Sequence, residues 1–427
     1  MLRRLLARGL VRAGIVTYVF SGLTLVANLV TGIVSARALG PSGRGVFVAL
    51  STVTQLAGLL FAVGVAQSLS YYIARRPEDG PRLLTTWTLM LVPLTALAIA
   101  IGQLLLPAIF GGDQQAIDLG RWFMFSIVLV VGLELNYGLL LGMQDFLVYN
   151  VLRFAQAALI AAAFVVLWIG DELTVESALI GAIVGSTTAM AAGLARSLAK
   201  VGIGPLDLRL GVTSLWYGVR GQGSTVATNV TARLDVAMLP AFVSNASVGL
   251  YSVAANLSLI VHQLSNTFAG LVLPAAAASD AERSRAKVIG SLWASLAIAA
   301  LLAVFLAVLA RPLIGLVYGD SFREAAEPLL LLLPGVVLFA GSSILAAGVA
   351  AAGRPFTATL GQLLGMAVTI IGLFVFLRSG GINAAAIVST VSYATVFAAM
   401  LFAYKRVTDT PWGEFVPTPA RLRGLLG

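Results

Sequence analysis

Long apolar runs separated by short polar breaks recur along the whole chain. They fall near 14–36, 46–70, 83–107, 122–143, 151–169, 177–198, 217–240, 249–272, 288–310, 328–350, 357–377 and 383–403. A helix needs about 20 apolar residues to cross a hydrocarbon core about 30 Å thick, so the pattern predicts about twelve spans. The weak two-residue alternation of a membrane barrel is absent. Helices satisfy their own backbone hydrogen bonds in lipid, and the predicted class is an all-α polytopic membrane protein. The breaks are short and leave no room for a sizeable domain outside the membrane.

Polar positions inside the runs follow helical spacing. In the first run Thr17, Ser21, Thr24, Asn28, Thr31 and Ser35 recur every three or four residues and share one face. Arg220, Ser224, Thr228, Thr231 and Asp235 do the same in the seventh run, and Tyr251, Ser258, His262, Ser265 and Asn266 in the eighth. Scattered hydroxyls can serve helix packing alone. Stripes several turns long are costly against lipid and are expected to line a wet cleft.

The stretch "LGPSGRGVFVALS" (39–51) resembles "VSNASVGLYSVAA" (243–255), and "LLLPAIFGG" (104–112) resembles "PLIGLVYGD" (312–320). Six predicted spans separate the copies, an even number, so both halves insert the same way up. Such a parallel repeat predicts two six-helix lobes around a central cavity. The lobes are expected at 1–208 and 209–404, followed by a basic tail at 405–427.

Composition agrees with the spans. The chain of 427 residues is 59% hydrophobic and 11% charged, against about 25% charged in a soluble domain. Most of its 27 Lys and Arg fall on the side of the N-terminus, including Arg75, Arg76, Arg82, Arg153, Arg196, Lys200, Arg285 and Arg354. Arg37, Arg44, Arg121, Arg311, Arg323 and Arg378 fall on the other. The bias places both termini in the cytoplasm. The net charge of +9 therefore reads as topology and lipid headgroup contact, with no basic soluble face for nucleic acid. Arg4, Arg8 and Arg12 beside Leu2, Leu5 and Leu6 also fit an interfacial amphipathic helix.

Several chemistries are excluded. There is no cysteine, a single histidine and no Gly-Lys pair, so thiolate sites, two-histidine zinc motifs and a Walker A loop are all missing. Asp171, Glu172 and Glu176 form an acidic group on a short outer loop, read as the counterpart of the positive-inside bias. No enzyme and no cofactor are expected.

Ionisable groups within spans are functional candidates by default. Here they are Glu134, Arg220, Arg233, Asp235 and His262. Arg233 and Asp235 stand two residues apart, point to nearly opposite sides of a helix and cannot pair along it. Asp235 belongs to the stripe. Arg233 is expected to meet an anionic substrate or a carboxylate on a neighbouring helix, with Glu134 the leading candidate. Glu134, Asp235 and His262 are candidates for coupling to H+ or Na+.

Three stretches carry a family resemblance: "ARALGPSGRGVFVALSTVTQLAGLLFAVGVAQSLSYYIAR" (36–75), "RLDVAMLPAFVSNASVGLYSVAANL" (233–257) and "LVYGDSFREAAEPLLLLLPG" (316–335). Together they resemble bacterial polysaccharide-unit flippases of the multidrug/oligosaccharidyl-lipid/polysaccharide exporter superfamily. The resemblance implies alternating access to a central cavity. It implies as substrate an oligosaccharide on undecaprenyl diphosphate, moved from the cytoplasmic to the outer leaflet of the bacterial inner membrane. The expected partners are the lipid-linked substrate, membrane lipids and polysaccharide polymerase or export machinery, and the expected state is a monomer. A cationic cavity is also implied, matched by Arg220 and Arg233 and extended by Arg82, Arg153 and Arg354. Asn28, Thr24, Thr31, Thr228 and Thr231 would then exchange hydrogen bonds with sugar hydroxyls. The alternative within the superfamily is a cation-coupled multidrug or metabolite exporter. Multidrug members often carry an acidic residue in the first span, where this chain has only Asn28 and hydroxyls.

Overall fold

The computed structural model describes residues 2–277 and 281–416, and the side chains of 2–13, 15, 264–277, 281 and 355 lie outside the description. The interfacial reading of Arg4, Arg8 and Arg12, and the stripe positions Ser265 and Asn266, fall on those side chains. The described residues are helical, with no strand among them. They form two compact units, residues 1–226 and 227–427.

The first unit holds α1 (Leu2–Phe61), α2 (Val65–Arg75), α3 (Gly80–Phe110), α4 (Gln114–Phe123), α5 (Ile127–Gly142), α6 (Phe146–Ile169) and α7 (Val175–Val201). It also takes the first part of α8 (Leu208–Met238). The second holds the rest of α8, α9 (Asn245–Ala277), α10 (Ala281–Tyr318), α11 (Ala326–Ala351) and α12 (Pro355–Thr408). The division falls inside α8 and not in the connection before it, where the sequence pattern places it. The physical reason is local: the first half of α8 packs closely on α2, as described below.

Among the described residues, 8 helices are long and apolar enough to cross a membrane. The first, Val16–Phe61, runs 46 residues, and the last, Phe356–Thr408, runs 53. At 1.5 Å per residue each is about 70–80 Å long, more than twice a hydrocarbon core. Each is broken once, at Gly40 (φ 63°) and at Gly381 (φ 54°). These left-handed φ values favour glycine. Pro41 follows the first break, where its missing N–H costs nothing at a helix start. The polar connections expected near 37–45 and 378–382 are thus single-residue breaks between helices.

Arg44 clamps the first break. Read from the sequence as an outer-loop cation, it is instead 1% exposed. Its guanidinium donates to the Gly32 carbonyl and, at 3.0 Å, to Ser35 Oγ. Small residues allow close helix packing elsewhere. A Cβ on Gly138 of α5 would lie 2.7 Å from the Ala66 Cα of α2. In the second unit α11 packs on α9, α10 and α12, and a Cβ on Gly335 would lie 2.6 Å from the Thr390 Cα.

Candidate functional site

In the second unit a buried polar cluster forms around Asp235. The Asp235 side chain is enclosed, 1% exposed. It accepts hydrogen bonds from the Tyr251 hydroxyl of α9, from Ser389 Oγ of α12 at 2.9 Å and from its neighbour's backbone, Val236 N, at 2.7 Å. Three donors offset much of the desolvation of a buried carboxylate. One side chain thereby ties α8, α9 and α12 together. This differs from the stripe reading, which turned Asp235 toward a wet cleft. Tyr251 and Ser389 occupy its oxygens and cover them from solvent.

Arg233, two residues earlier, is half-buried. Its charge acts on Asp235 and Tyr393, and it forms no salt bridge with Asp235 among the described residues. His262 is buried and stacks on Phe339 at 4.2 Å. Phe339 in turn stacks on Tyr393 at 4.5 Å, and Tyr393 lies one turn beyond Ser389. Arg233, Asp235 and His262 therefore belong to one connected cluster. Thr231, one turn before Asp235, is fully buried and its hydroxyl has no hydrogen-bond partner among the described residues. Thr228 is half-buried. Ser389, Tyr393 and Phe339 were not singled out from the sequence. The spacing of Ser389, Ser392 and Tyr393 was the available signal, a polar face at intervals of three and four.

In the first unit two hydroxyls of the α1 stripe bond to their own helix. Thr24 Oγ1 donates to the Phe20 carbonyl at 2.8 Å and Thr31 Oγ1 to the Ala27 carbonyl at 3.1 Å. Asn28 is exposed, as are Arg220, Arg82 and Arg354. Thr17 Oγ1 accepts from Asn150 Nδ2 of α6 at 3.0 Å.

Glu134 of α5 is half-buried in a second polar cluster. The cation that acts on it is Arg153 of α6. The Arg153 guanidinium lies 5.5 Å from the Tyr149 ring centre, and Tyr149 meets Tyr137 edge-on at 5.4 Å. Tyr137 donates to Gln156 Oε1 at 3.1 Å, and Gln156 Nε2 to Ser186 Oγ of α7 at 3.1 Å. Arg153, half-buried, is thus tied to this cluster through Tyr149 and Glu134.

Comparison with known proteins agrees with these helices. A family model described as "Polysaccharide biosynthesis protein" matches residues 10–279. No curated protein matches. Among solved structures, lipid II flippase MurJ in an inward closed conformation is similar at a TM-score of 0.74 and 16% identity, covering 96% of this chain and 91% of that one. An inward-facing multidrug resistance MATE family transporter of the MOP superfamily is similar at 0.68 and 14% identity, covering 93% and 98%. A mutant form of the Vibrio cholerae MATE transporter VcmN is similar at 0.59 and 14% identity, covering 95% and 99%. These three are transporters or flippases by their descriptions. The chain is a multi-pass membrane protein that belongs to the polysaccharide biosynthesis protein family and has the fold of the MurJ and MATE transporters.

Proposed function

We propose that the protein flips a lipid-linked oligosaccharide, carried on undecaprenyl diphosphate, from the cytoplasmic to the outer leaflet by alternating access. The observation that carries this reading is the family match over residues 10–279, taken with a fold like that of a lipid II flippase. A diphosphate bearing sugars cannot cross hydrocarbon unaided, which is the task such a fold would meet. Arginine suits the phosphates through its fork of donors, and Arg220 and Arg233 are the candidates. Asn28, Thr24, Thr31 and Thr228 are proposed to meet sugar hydroxyls, whereas Thr231 is enclosed and is not among them. Asp235 is proposed as the coupling group, because one carboxyl holds three helices and its neutralisation by H+ or Na+ would loosen all three. Glu134 and His262 are proposed to support that coupling. The protein is placed in the bacterial inner membrane with both termini in the cytoplasm, working as a monomer beside polymerase or export machinery.

A cation-coupled multidrug exporter is the second reading, favoured by the MATE likeness. The test is a reconstituted flipping assay with a fluorescent saccharide on a short-chain polyprenyl diphosphate. Wild type should move the probe, and Asp235→Asn should stay folded and move it about tenfold more slowly, a barrier change of about 1.4 kcal/mol. Transport of a cationic dye without transport of the lipid probe would replace the flippase reading with the exporter.

A further inference from the structure

The first half of α8 runs antiparallel to α2 with the backbones in contact. A Cβ on Gly64 would lie 2.1 Å from the Gly218 carbonyl oxygen, and one on Gly218 would lie 2.5 Å from that of Gly64. Gly64 also takes a φ of 77°. Side chains fix the crossing on both sides. Gln222 Nε2 donates to the Leu59 carbonyl at 2.6 Å, Ser68 Oγ to the Ser214 carbonyl at 2.9 Å, and Trp87 Nε1 of α3 to Ser214 Oγ at 3.0 Å.

Beside this crossing a cleft of about 480 Å³ is lined by Gln67, Ser70, Tyr71, Arg75, Tyr217 and Gly221 among others. That volume lies in the range of small-molecule sites, about 300–1,000 Å³. One wall is a column. The Arg75 guanidinium lies 4.4 Å from the Tyr71 ring centre. Tyr71 stacks on Tyr217 at 4.1 Å and 21°, and Tyr72 meets Tyr217 edge-on at 5.9 Å. A guanidinium lying over a ring can keep its in-plane N–H groups free for a planar or phosphate acceptor. Arg75 is exposed and Tyr217 is 38% exposed. The rest of the lining is uncharged, with Gln67 and Ser70 as its polar side chains beside Ala74 and Gly221. Ser70 donates to the Gln67 carbonyl at 3.0 Å, which leaves its oxygen able to accept. Gly221 keeps the space open, since a Cβ there would touch only the Gln67 side chain at 3.6 Å.

We propose that this cleft binds the sugar–phosphate junction of a lipid-linked saccharide. Arg75 meets the phosphate, Gln67 and Ser70 bond to hydroxyls of the first sugar, and the exposed part of Tyr217 packs on its C–H face. The proposal rests on the flippase reading above, and it adds residues that neither the polar stripes nor the intramembrane charges pointed to.

The test is equilibrium binding to the full chain in nanodiscs, with three probes. These are farnesyl diphosphate, the same lipid diphosphate carrying N-acetylglucosamine, and inorganic pyrophosphate. Wild type should bind the glycosylated lipid most tightly. Arg75→Gln should weaken both lipid diphosphates about tenfold or more, as expected for loss of a charge-assisted contact. Gln67→Ala and Gly221→Leu should weaken the glycosylated probe and spare farnesyl diphosphate. Arg209→Gln, a nearby exposed cation on α8, should change neither. Folding is checked by melting temperature. If Arg75→Gln does not fold, Gly221→Leu decides the matter, because its Cβ contact is an ordinary one. Unchanged binding in folded Arg75→Gln or Gly221→Leu overturns the subsite, as does an equal loss in Arg209→Gln. Pyrophosphate bound as tightly as the glycosylated lipid overturns a lipid-linked ligand in favour of a free phosphate. A folded wild type that binds neither lipid diphosphate defeats the flippase reading itself, whereas binding that the variants do not alter defeats only the subsite.

Discussion

Arg44 carries a full charge at 1% exposure, and its position in the fold explains why. It sits four residues beyond the Gly40 break and reaches back to the Gly32 carbonyl and Ser35 Oγ on the helix before it. Arg44→Ala removes both charge-assisted bonds, although Ser35 Oγ still donates to the Gly32 carbonyl at 3.0 Å, and is expected to cost about 1.5–3 kcal/mol, the range for a hydrogen bond to a charged group. Arg44→Lys should recover only part, because both bonds come from Nη1 at the end of the guanidinium and a lysine ammonium is a compact, strongly hydrated charge that is costlier to bury. Melting curves in detergent read both, and an Arg44→Ala curve within about one degree of wild type would remove this clamp from the account. At this scale the sequence is legible where charge is rare. Asp235, Arg233 and Glu134 stood out because the runs around them are apolar. Arg44 and Arg153 did not, because both lie near polar breaks and read as positive-inside or loop cations. Ser389 was hidden for the opposite reason, since serine is common in membrane helices.

Between elements, the turn joining α5 to α6 is tied to α7 by Asp145. Its carboxylate is 12% exposed and accepts from Lys200 Nζ at 2.6 Å and Arg196 Nη2 at 3.0 Å. Lys200 and Arg196 stand one turn apart on α7. Burial pushes the Asp145 carboxyl up, but the hydrogen bonds and charges of Lys200 and Arg196 outweigh it and hold the group below the ordinary carboxylate range. A depressed folded value stabilises the fold above the unfolded carboxylate value of about 3.9. That contribution is lost as pH falls through the folded value. Lys200 is 38% and Arg196 44% exposed, so screening keeps the effect modest. Wild type should therefore melt higher than Asp145→Asn near pH 7, and the difference should shrink as the pH drops below about 4. A gap that stays constant from neutral to acid would show that charge on Asp145 is not what ties these elements. Element boundaries were legible where turn residues punctuate the apolar runs. The break after Phe61 was not, because Val63 and Gly64 sit inside an apolar run and their positive φ values (43° and 77°) answer to Gly218 on a distant part of the chain.

For the whole molecule, hydropathy made the class readable, because bilayer thickness acts on every span alike, and the Lys and Arg bias sets the expected topology. The division between the two units was less readable. It depends on which partner the first half of α8 packs against, and that choice is made by Gly64, Ser68, Ser214 and Gly218, small residues with no pattern of their own. The same helix is the critical point for topology. α8 is not among the helices that qualify as spans by hydropathy, since Arg209, Arg220, Arg233 and Asp235 all fall within it. Reporter fusions at Pro77, Asp171, Arg285 and Asp320 test whether it crosses. Pro77 follows α2 and Asp171 follows α6, so the intervening helices should put Pro77 in the cytoplasm and Asp171 outside. Arg285, near the start of α10, returns to the cytoplasm if α7, α8 and α9 all cross, or if only one of them does, and Asp320 then lies outside after α10. The expected pattern is cytoplasm, exterior, cytoplasm, exterior. An exterior signal at Arg285 together with a cytoplasmic one at Asp320 would mean that either α8 or α9 does not cross. Where α8 is the one that does not cross, its charges lie at a membrane surface and the proposed coupling role of Asp235 falls with them.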